Sequence, residues 1–372
     1  MKWSWKLGKV FGIDLFIHAT FLLLLAWVAV SAYLRERDVH AMVVGVLFML
    51  AIFGSVVLHE LGHALTARRF GIKTRDITLL PIGGIARLER MPEKPGQELL
   101  VALAGPAVNV VIAIALFGAL SFAGQSVKLE NPSLVSTAPF FTRLLWVNVT
   151  LAIFNLIPAF PMDGGRALRA LLAFGGDYVK ATQMAARLGQ GLALLFGILG
   201  LMFNPILAFI ALFIWIGAGA EAAGVEAKAS LQGLPMRAAM QTDFRILSIH
   251  DTLGIAARRL LGGSQVDFPV VDPDGTLVGV LTRGNLIAGL SEHGSEAIVA
   301  SVMDRRFVTA HPAEMLAVAL DRLQECACRS IPVIADGKVV GMVTTDNIGE
   351  LMMVRDALRT SSRKRPMLKL VA

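Results

Sequence analysis

Val57-Leu58-His59-Glu60-Leu61-Gly62-His63-Ala64-Leu65 closes a run, residues 41–58, that carries no charge. His59 and His63 are four residues apart, so on a helix they share one face and can grip one metal ion, with Glu60 beside them as a candidate base. That is the spacing of a zinc hydrolase. Two imidazoles and a carboxylate are costly in hydrocarbon unless they face a polar cavity and act there. A histidine pair satisfied by helix packing is the competing reading, and it leaves the Glu60 carboxylate at membrane depth without a reason.

Composition places the motif in a membrane protein. Of 372 residues, 55% are hydrophobic and 17% charged, with mean hydropathy +0.65, too apolar for an ordinary soluble globular chain. The apolar excess lies in the first ~220 residues, and the rest has mixed composition. The expected organisation is a membrane-embedded domain over 1–222, a linker over 223–234, two small soluble units over 235–294 and 295–358, and a basic tail over 359–372. Cys326 and Cys328 are too few for a disulfide framework and are expected as buried thiols in a reducing compartment.

Outward from the motif, residues 15–34 are long enough to cross a bilayer; the basic start (Lys2, Lys6, Lys9) is signal-like, but the run is about 20 residues long and no clear small-residue cleavage site closes it, so it is expected as a retained first span. His18, near its start, reads as an interfacial or cavity histidine. The second helix covers 41–68. Residues 73–89 turn to alternating, β-branched chemistry around Pro81-Ile82-Gly83-Gly84, which predicts short strands about a turn flanking the site. A third run, 99–127, contains Gly105-Pro106-Ala107-Val108-Asn109, suited to close packing or, at Asn109, a polar contact. A fourth, 144–162, includes Asn155 and Pro158 and leads into Asp163-Gly164-Gly165-Arg166; the glycosylation-like Asn148-Val149-Thr150 falls inside it and is discounted. Residues 188–220 are too long for one crossing, and Asn204-Pro205 predicts a tight hairpin of two short spans, making about six.

Lys and Arg concentrate at the N-terminus and in the loops after the second and fourth spans. The alternate loops carry Arg35 and Arg37, then Lys128 and Arg143, then none. The positive-inside rule therefore predicts a multi-pass protein of the cell (inner or plasma) membrane with both termini cytoplasmic, and the motif and Asp163 near one cytoplasmic level. Asp163, an acidic residue at the exit of an uncharged span, is the best candidate for a third metal ligand. Its alternative is to N-cap a helix over 165–174.

Beyond residue 232 the chain repeats at an offset of about 63 residues. Phe268-Pro-Val-Val and Gly279-Val-Leu-Thr282 match Ile331-Pro-Val-Ile and Gly341-Met-Val-Thr344. Each copy reads helix, strand, Asp-Gly turn, strand, helix, a tandem pair of α+β units. The unit resembles the cystathionine-β-synthase (CBS) domain, pairs of which bind adenine nucleotides in the cleft between them. Where that family typically has Asp, three residues after the Thr, this chain has Asn285 and Asn347, which leaves a purely structural pair as the alternative. The basic stretch Arg363 to Lys369 reads as a solvated end or a contact to anionic lipid.

Together, His59-Glu60-x-x-His63, Gly105-Pro106-x-x-Asn109, Asn155-x-x-Pro158 and Asp163-Gly164 resemble the site-2 protease family of intramembrane zinc metalloproteases, in the branch with a C-terminal CBS pair. The resemblance implies a polytopic α-helical membrane domain plus an α/β (α+β) CBS pair. It implies one Zn2+ per subunit held by His59, His63 and Asp163, Glu60 as general base, and Asn155 as a substrate contact. The implied partners are a membrane-anchored protein substrate such as an anti-sigma or pro-sigma factor, the lipid bilayer, and a second copy through the CBS pair; no nucleic acid is expected. The rival is a CBS-regulated cation transporter or channel, since ionisable residues in spans also mark ion paths.

Overall fold

The protein is described by a computed structural model covering residues 3–81, 83–88, 92, 94–125, 138–326 and 328–364. It forms two compact units, Met1–Val225 and Glu226–Ala372. Much of the expected basic tail, from 365 on, lies outside the described residues, as does Lys128.

In the first unit, helices α1 (Ala19–Glu36), α2 (Val39–Arg69), α3 (Pro95–Phe122), α6 (Tyr178–Phe203) and α7 (Pro205–Leu231) are long and apolar enough to cross a membrane. Among the described residues a shorter apolar helix, α4 (Phe140–Asn155), accompanies these five. At 1.5 Å per residue its 16 residues span about 24 Å, short of a ~30 Å hydrocarbon layer. The fourth run does not stay helical to 162, because Pro158 and Pro161 lack the N–H groups that would continue the ladder; the chain turns there into α5 (Asp163–Ala173). The break at Asn204 falls where expected, but the two helices it separates are not short: they hold 26 and 27 residues, extending past the uncharged window through Lys180 and Arg187 on one side and Glu221 on the other. Most of the connecting segment 223–234 is helical, as part of α7.

The start of the chain departs from expectation. Helix α1 begins at Ala19, and the residues before it form strands β1 (Ser4–Val10) and β2 (Ile13–His18). With β3 (Thr74–Leu80) and β4 (Gly83–Leu88), the pair predicted around the Pro81 turn, they make one sheet in the order β1-β2-β3-β4. β2 runs parallel to β3, and the other pairings are antiparallel. The expected first span begins later than predicted because residues before Ala19 pair as strands, β1 with β2 and β2 with the distant β3. His18 caps α1, accepting from the Thr20 N–H.

This sheet fixes the rotation of α2. Phe53 packs with Leu79, and Leu61 and Ala64 with Ile77. Positions 53, 57, 61 and 64 form one stripe of the helix; 55, 59 and 63 therefore point the opposite way, toward α3, α4 and α5.

The second unit contains helices α8 (Leu253–Leu261), α9 (Arg283–His293), α10 (Leu316–Cys326) and α11 (Thr345–Lys364). A three-stranded sheet, β5 (Leu247–Ser248), β6 (Phe268–Val271) and β7 (Leu277–Leu281), and a two-stranded one, β8 (Ser330–Ala335) and β9 (Lys338–Thr344), complete it. The β8–β9 turn places Asp336 (φ 48°) and Gly337 (φ 77°) in the left-handed region, which Asp and Gly tolerate. Each core borrows from the other copy. Met236 and Ala239 are buried with Ile331, Val333 and Val343, while Val299 and Met303 are buried with Phe268, Val270 and Leu281.

The cysteine expectation is corrected: Cys326 and Cys328 are bonded to each other. Leaving α10 at Cys326 brings both sulfurs to one side of the chain, which residue counting does not reveal.

Candidate metal centre

His59 and His63 come from α2 and Asp163 from the first residue of α5, and all three are buried. His59 Nε2 and His63 Nε2 lie 3.1 Å apart, and Asp163 Oδ2 stands 3.1 Å from the first and 3.0 Å from the second. Three donors at these separations are the protein ligand set that a catalytic zinc would take, with a further position left for water or substrate. Among the described residues these three are the His/Cys/Asp/Glu group whose donor atoms converge on one point.

Donor chemistry tests the fit. The His63 Nδ1–H donates to the Val101 carbonyl at 2.7 Å, and His59 Nδ1 bonds Asn109 Oδ1. Both outward nitrogens are spent on acceptors, so neutral rings turn unprotonated Nε2 atoms toward a carboxylate. Three lone pairs aimed at one point without a hydrogen between them repel, and a cation reverses the sign. The group fits Zn2+, with the outward bonds that metal-binding histidines ordinarily make.

The backbone around the triangle is pared down. A methyl group at Gly105 of α3 would overlap His63 Nε2 and stand 2.6 Å from His59 Nε2. Gly164 and Gly165 lie against the backbone of Leu156, Ile157, Ala159 and Phe160, where no Cβ fits; this contact seats α5 and brings Asp163 inward. Asp163 does not N-cap a helix over 165–174. Its helix starts at Asp163 itself, with Met162 at the cap position and no side-chain cap. A carboxylate in a first turn also meets the favourable end of the helix dipole.

Glu60 stands outside the triangle. Its Oε2 accepts from the Ala86 N–H of β4 at 3.3 Å, and Gly84 approaches its Cγ, so the predicted strand pair does flank the motif. Asn155 is half-buried at the end of α4 and donates to the Leu151 carbonyl at 2.9 Å, not to any of the three converging side chains.

Two clusters escaped the sequence reading. Asn109 donates onward to Asn148, and Asn148 to Ser55 and to the Leu144 carbonyl. An amide in the middle of an uncharged run was the available signal, since such a group needs a partner there. The second cluster is ionic. Arg169 of α5 donates to Glu98 of α3 at 2.7 Å and to Glu221 of α7 at 2.6 Å. Its guanidinium also lies 5.0 Å from the ring centres of Phe160 and Tyr178. Glu98 is fully buried, and removing one partner of a buried pair typically costs about 3–5 kcal/mol. Arg169→Met is expected to lower the melting temperature of the detergent-solubilised protein sharply, and Glu98→Gln in the same chain to recover much of the loss. Equal melting temperatures for wild type and Arg169→Met would remove the cluster from the stability account.

Comparison with known proteins gives this geometry its setting. A family model described as Peptidase family M50 matches residues 47–138 and 127–198, and one for the CBS domain matches 236–292 and 299–353. The chain is 32% identical over 360 residues to a zinc metalloprotease of Methanocaldococcus jannaschii, covering 95% of this chain and 97% of that one. It is 30% identical over 152 residues to stage IV sporulation protein FB of Bacillus subtilis, covering 41% and 49%. Among solved structures, the site-2 protease from Methanocaldococcus jannaschii is 38% identical, with 59% of this chain and 95% of that chain covered and a TM-score of 0.43. The likeness to the first relative runs the length of the chain, and the class is a multi-pass membrane metalloprotease with a tandem CBS pair. The chain belongs to peptidase family M50, the site-2 protease family, and is an intramembrane zinc metalloprotease. The transporter reading is thereby set aside.

Proposed function

We propose that His59, His63 and Asp163 hold one zinc ion, that Glu60 is the general base, and that the enzyme hydrolyses a peptide bond in or near the membrane span of a regulatory membrane protein. The observation that carries this is the convergence of three buried donor atoms, within 3.1 Å of one another, from two non-adjacent helices. Held by His59, His63 and Asp163, a zinc ion would supply Lewis acidity and make water acidic enough to lose a proton near neutral pH. Glu60, held by the Ala86 N–H beside the triangle, takes the proton on its carboxylate and returns it to the leaving amide nitrogen. Asn155 keeps its Oδ1 without a partner among the described residues and is assigned to hold the substrate backbone. A substrate helix hides its carbonyls in its own ladder, so cleavage requires local unwinding and favours helix-weakening residues near the cut.

The test is co-expression with single-span anti-sigma or pro-sigma proteins, followed by reconstitution with the purified enzyme. Cleavage that stops with a zinc chelator and returns with added Zn2+ is the expected result. Cleavage indifferent to chelation would overturn the metal assignment.

The basic-residue distribution supports cytoplasmic termini in a cell membrane. For the CBS pair we assign an anionic adenine nucleotide to a cavity of about 420 Å³ whose lining sets Arg283, Arg306 and Arg329 against Asp267 and Asp304, with Thr282 beside them. A second cavity, of about 600 Å³, is lined by Asp346, Asn347 and Glu350 and by no Lys or Arg, so phosphate is favoured in the first. Calorimetric titration of the full-length protein with ATP should show binding that falls at least about tenfold in Arg283→Glu/Arg329→Glu, since a hydrogen bond to a charged group is worth about 1.5–3 kcal/mol. No heat in the wild type would leave the pair a structural role.

A further inference from the structure

His59 can present a lone pair at Nε2 only while its Nδ1 keeps the hydrogen, and its neighbour Asn109 could enforce either state. A side-chain amide has nearly the same shape both ways round: oxygen toward the ring demands Nδ1–H, whereas NH2 toward the ring demands a bare Nδ1 and so moves the hydrogen to Nε2. Something must decide which way Asn109 faces.

The decision can be followed through the helices. Asn109 Nδ2 donates to Asn148 Oδ1 at 2.9 Å. Asn148 Nδ2 donates to the Leu144 carbonyl at 2.9 Å and to Ser55 Oγ at 3.2 Å, and the Ser55 hydroxyl donates to the Ala51 carbonyl at 3.2 Å. Both ends are backbone carbonyls, which only accept. Leu144 therefore compels Asn148 to turn its NH2 outward and its oxygen toward Asn109. Asn109 must answer with its own NH2, which leaves its oxygen facing His59 Nδ1. Asn109 and Asn148 are both fully buried, so the order is set by these groups and not by bulk water.

We infer that Asn148 is a positioning residue for the metal centre: from α4, without touching a ligand, it sets the hydrogen of His59 on Nδ1 and so keeps Nε2 open toward Asp163 and His63. This rests on the proposal that His59 binds zinc.

The experiment measures zinc affinity by chelator competition, and the visible spectrum of the Co2+-loaded protein, in the full-length chain. Asn148→Leu is expected to weaken zinc about 10–100-fold, the range typical for outer partners of metal ligands, because Asn109 is then free to turn over. Ser55→Ala, which leaves the Leu144 carbonyl in charge, should stay within a few-fold of wild type. Adding Asn109→Asp to Asn148→Leu should restore both affinity and spectrum, since a carboxylate only accepts and holds the hydrogen on Nδ1 unaided. A purely packing role for Asn148 gives no such rescue.

Wild-type affinity in Asn148→Leu, or a folded double variant as weak as the single one, overturns the inference. His59→Ala in the same assay separates the underlying reading: unchanged zinc there removes the ligand assignment itself. If Asn148→Leu does not fold, Asn148→Ala takes its place with the same expected pattern.

Discussion

Glu60→Gln is expected to lower the rate of substrate cleavage about 10²–10⁴-fold, the usual contribution of a positioned acid–base group, while zinc content stays at the wild-type level. The geometry separates the two roles. Glu60 lies outside the triangle of donor atoms, so its loss removes no ligand, and its Oε2 accepts from the Ala86 N–H. A glutamine carbonyl accepts that bond as well, which preserves the approach of β4 and the rotation of α2. What disappears is basicity. Metal analysis of the purified protein together with gel-based cleavage of a reconstituted substrate checks both halves. Retained cleavage would place the base elsewhere, and lost zinc would make Glu60 a structural partner of the centre.

Asp163→Asn should have the opposite signature: zinc affinity falls by more than the 10–100-fold typical of an outer partner, and activity falls with it. Asparagine keeps the shape, and it remains compatible with the first turn of α5. The lost helix-dipole interaction amounts to only about 0.3–1 kcal/mol, too little to unfold the domain. The change therefore acts on the charge that offsets the cation and on the oxygen that now stands 3.1 and 3.0 Å from the two imidazoles. Chelator competition reads the affinity directly, with the melting temperature as control. An unchanged zinc affinity would strike Asp163 from the ligand set and leave the two histidines without a third partner.

The parts of this molecule legible from sequence are those encoded locally. The i, i+4 histidines, the apolar runs and the β-branched pair about Pro81 each carry their signal within one short segment, and the Pro-Val strands carry theirs by recurring. Misreadings occurred where a segment's role depends on a distant partner. Residues 15–18 look like the start of the first span until β2 is paired with β1 and β3. Asn148 looks like a discounted glycosylation acceptor until Asn109 faces it. Arg169 counts only as a loop charge until Glu98 and Glu221 close on it.

By itself, the sequence determined the membrane class, the helices, the repeat and the face of α2 on which two histidines stand, because hydrophobic period and residue spacing are local properties. Tertiary structure alone decided that Asp163 reaches those histidines, that each CBS core takes its first segment from the other copy, and that Cys326 and Cys328 join. Those outcomes depend on where glycines let backbones approach and on which buried polar group finds its complement, and neither is written in the spacing of any single segment.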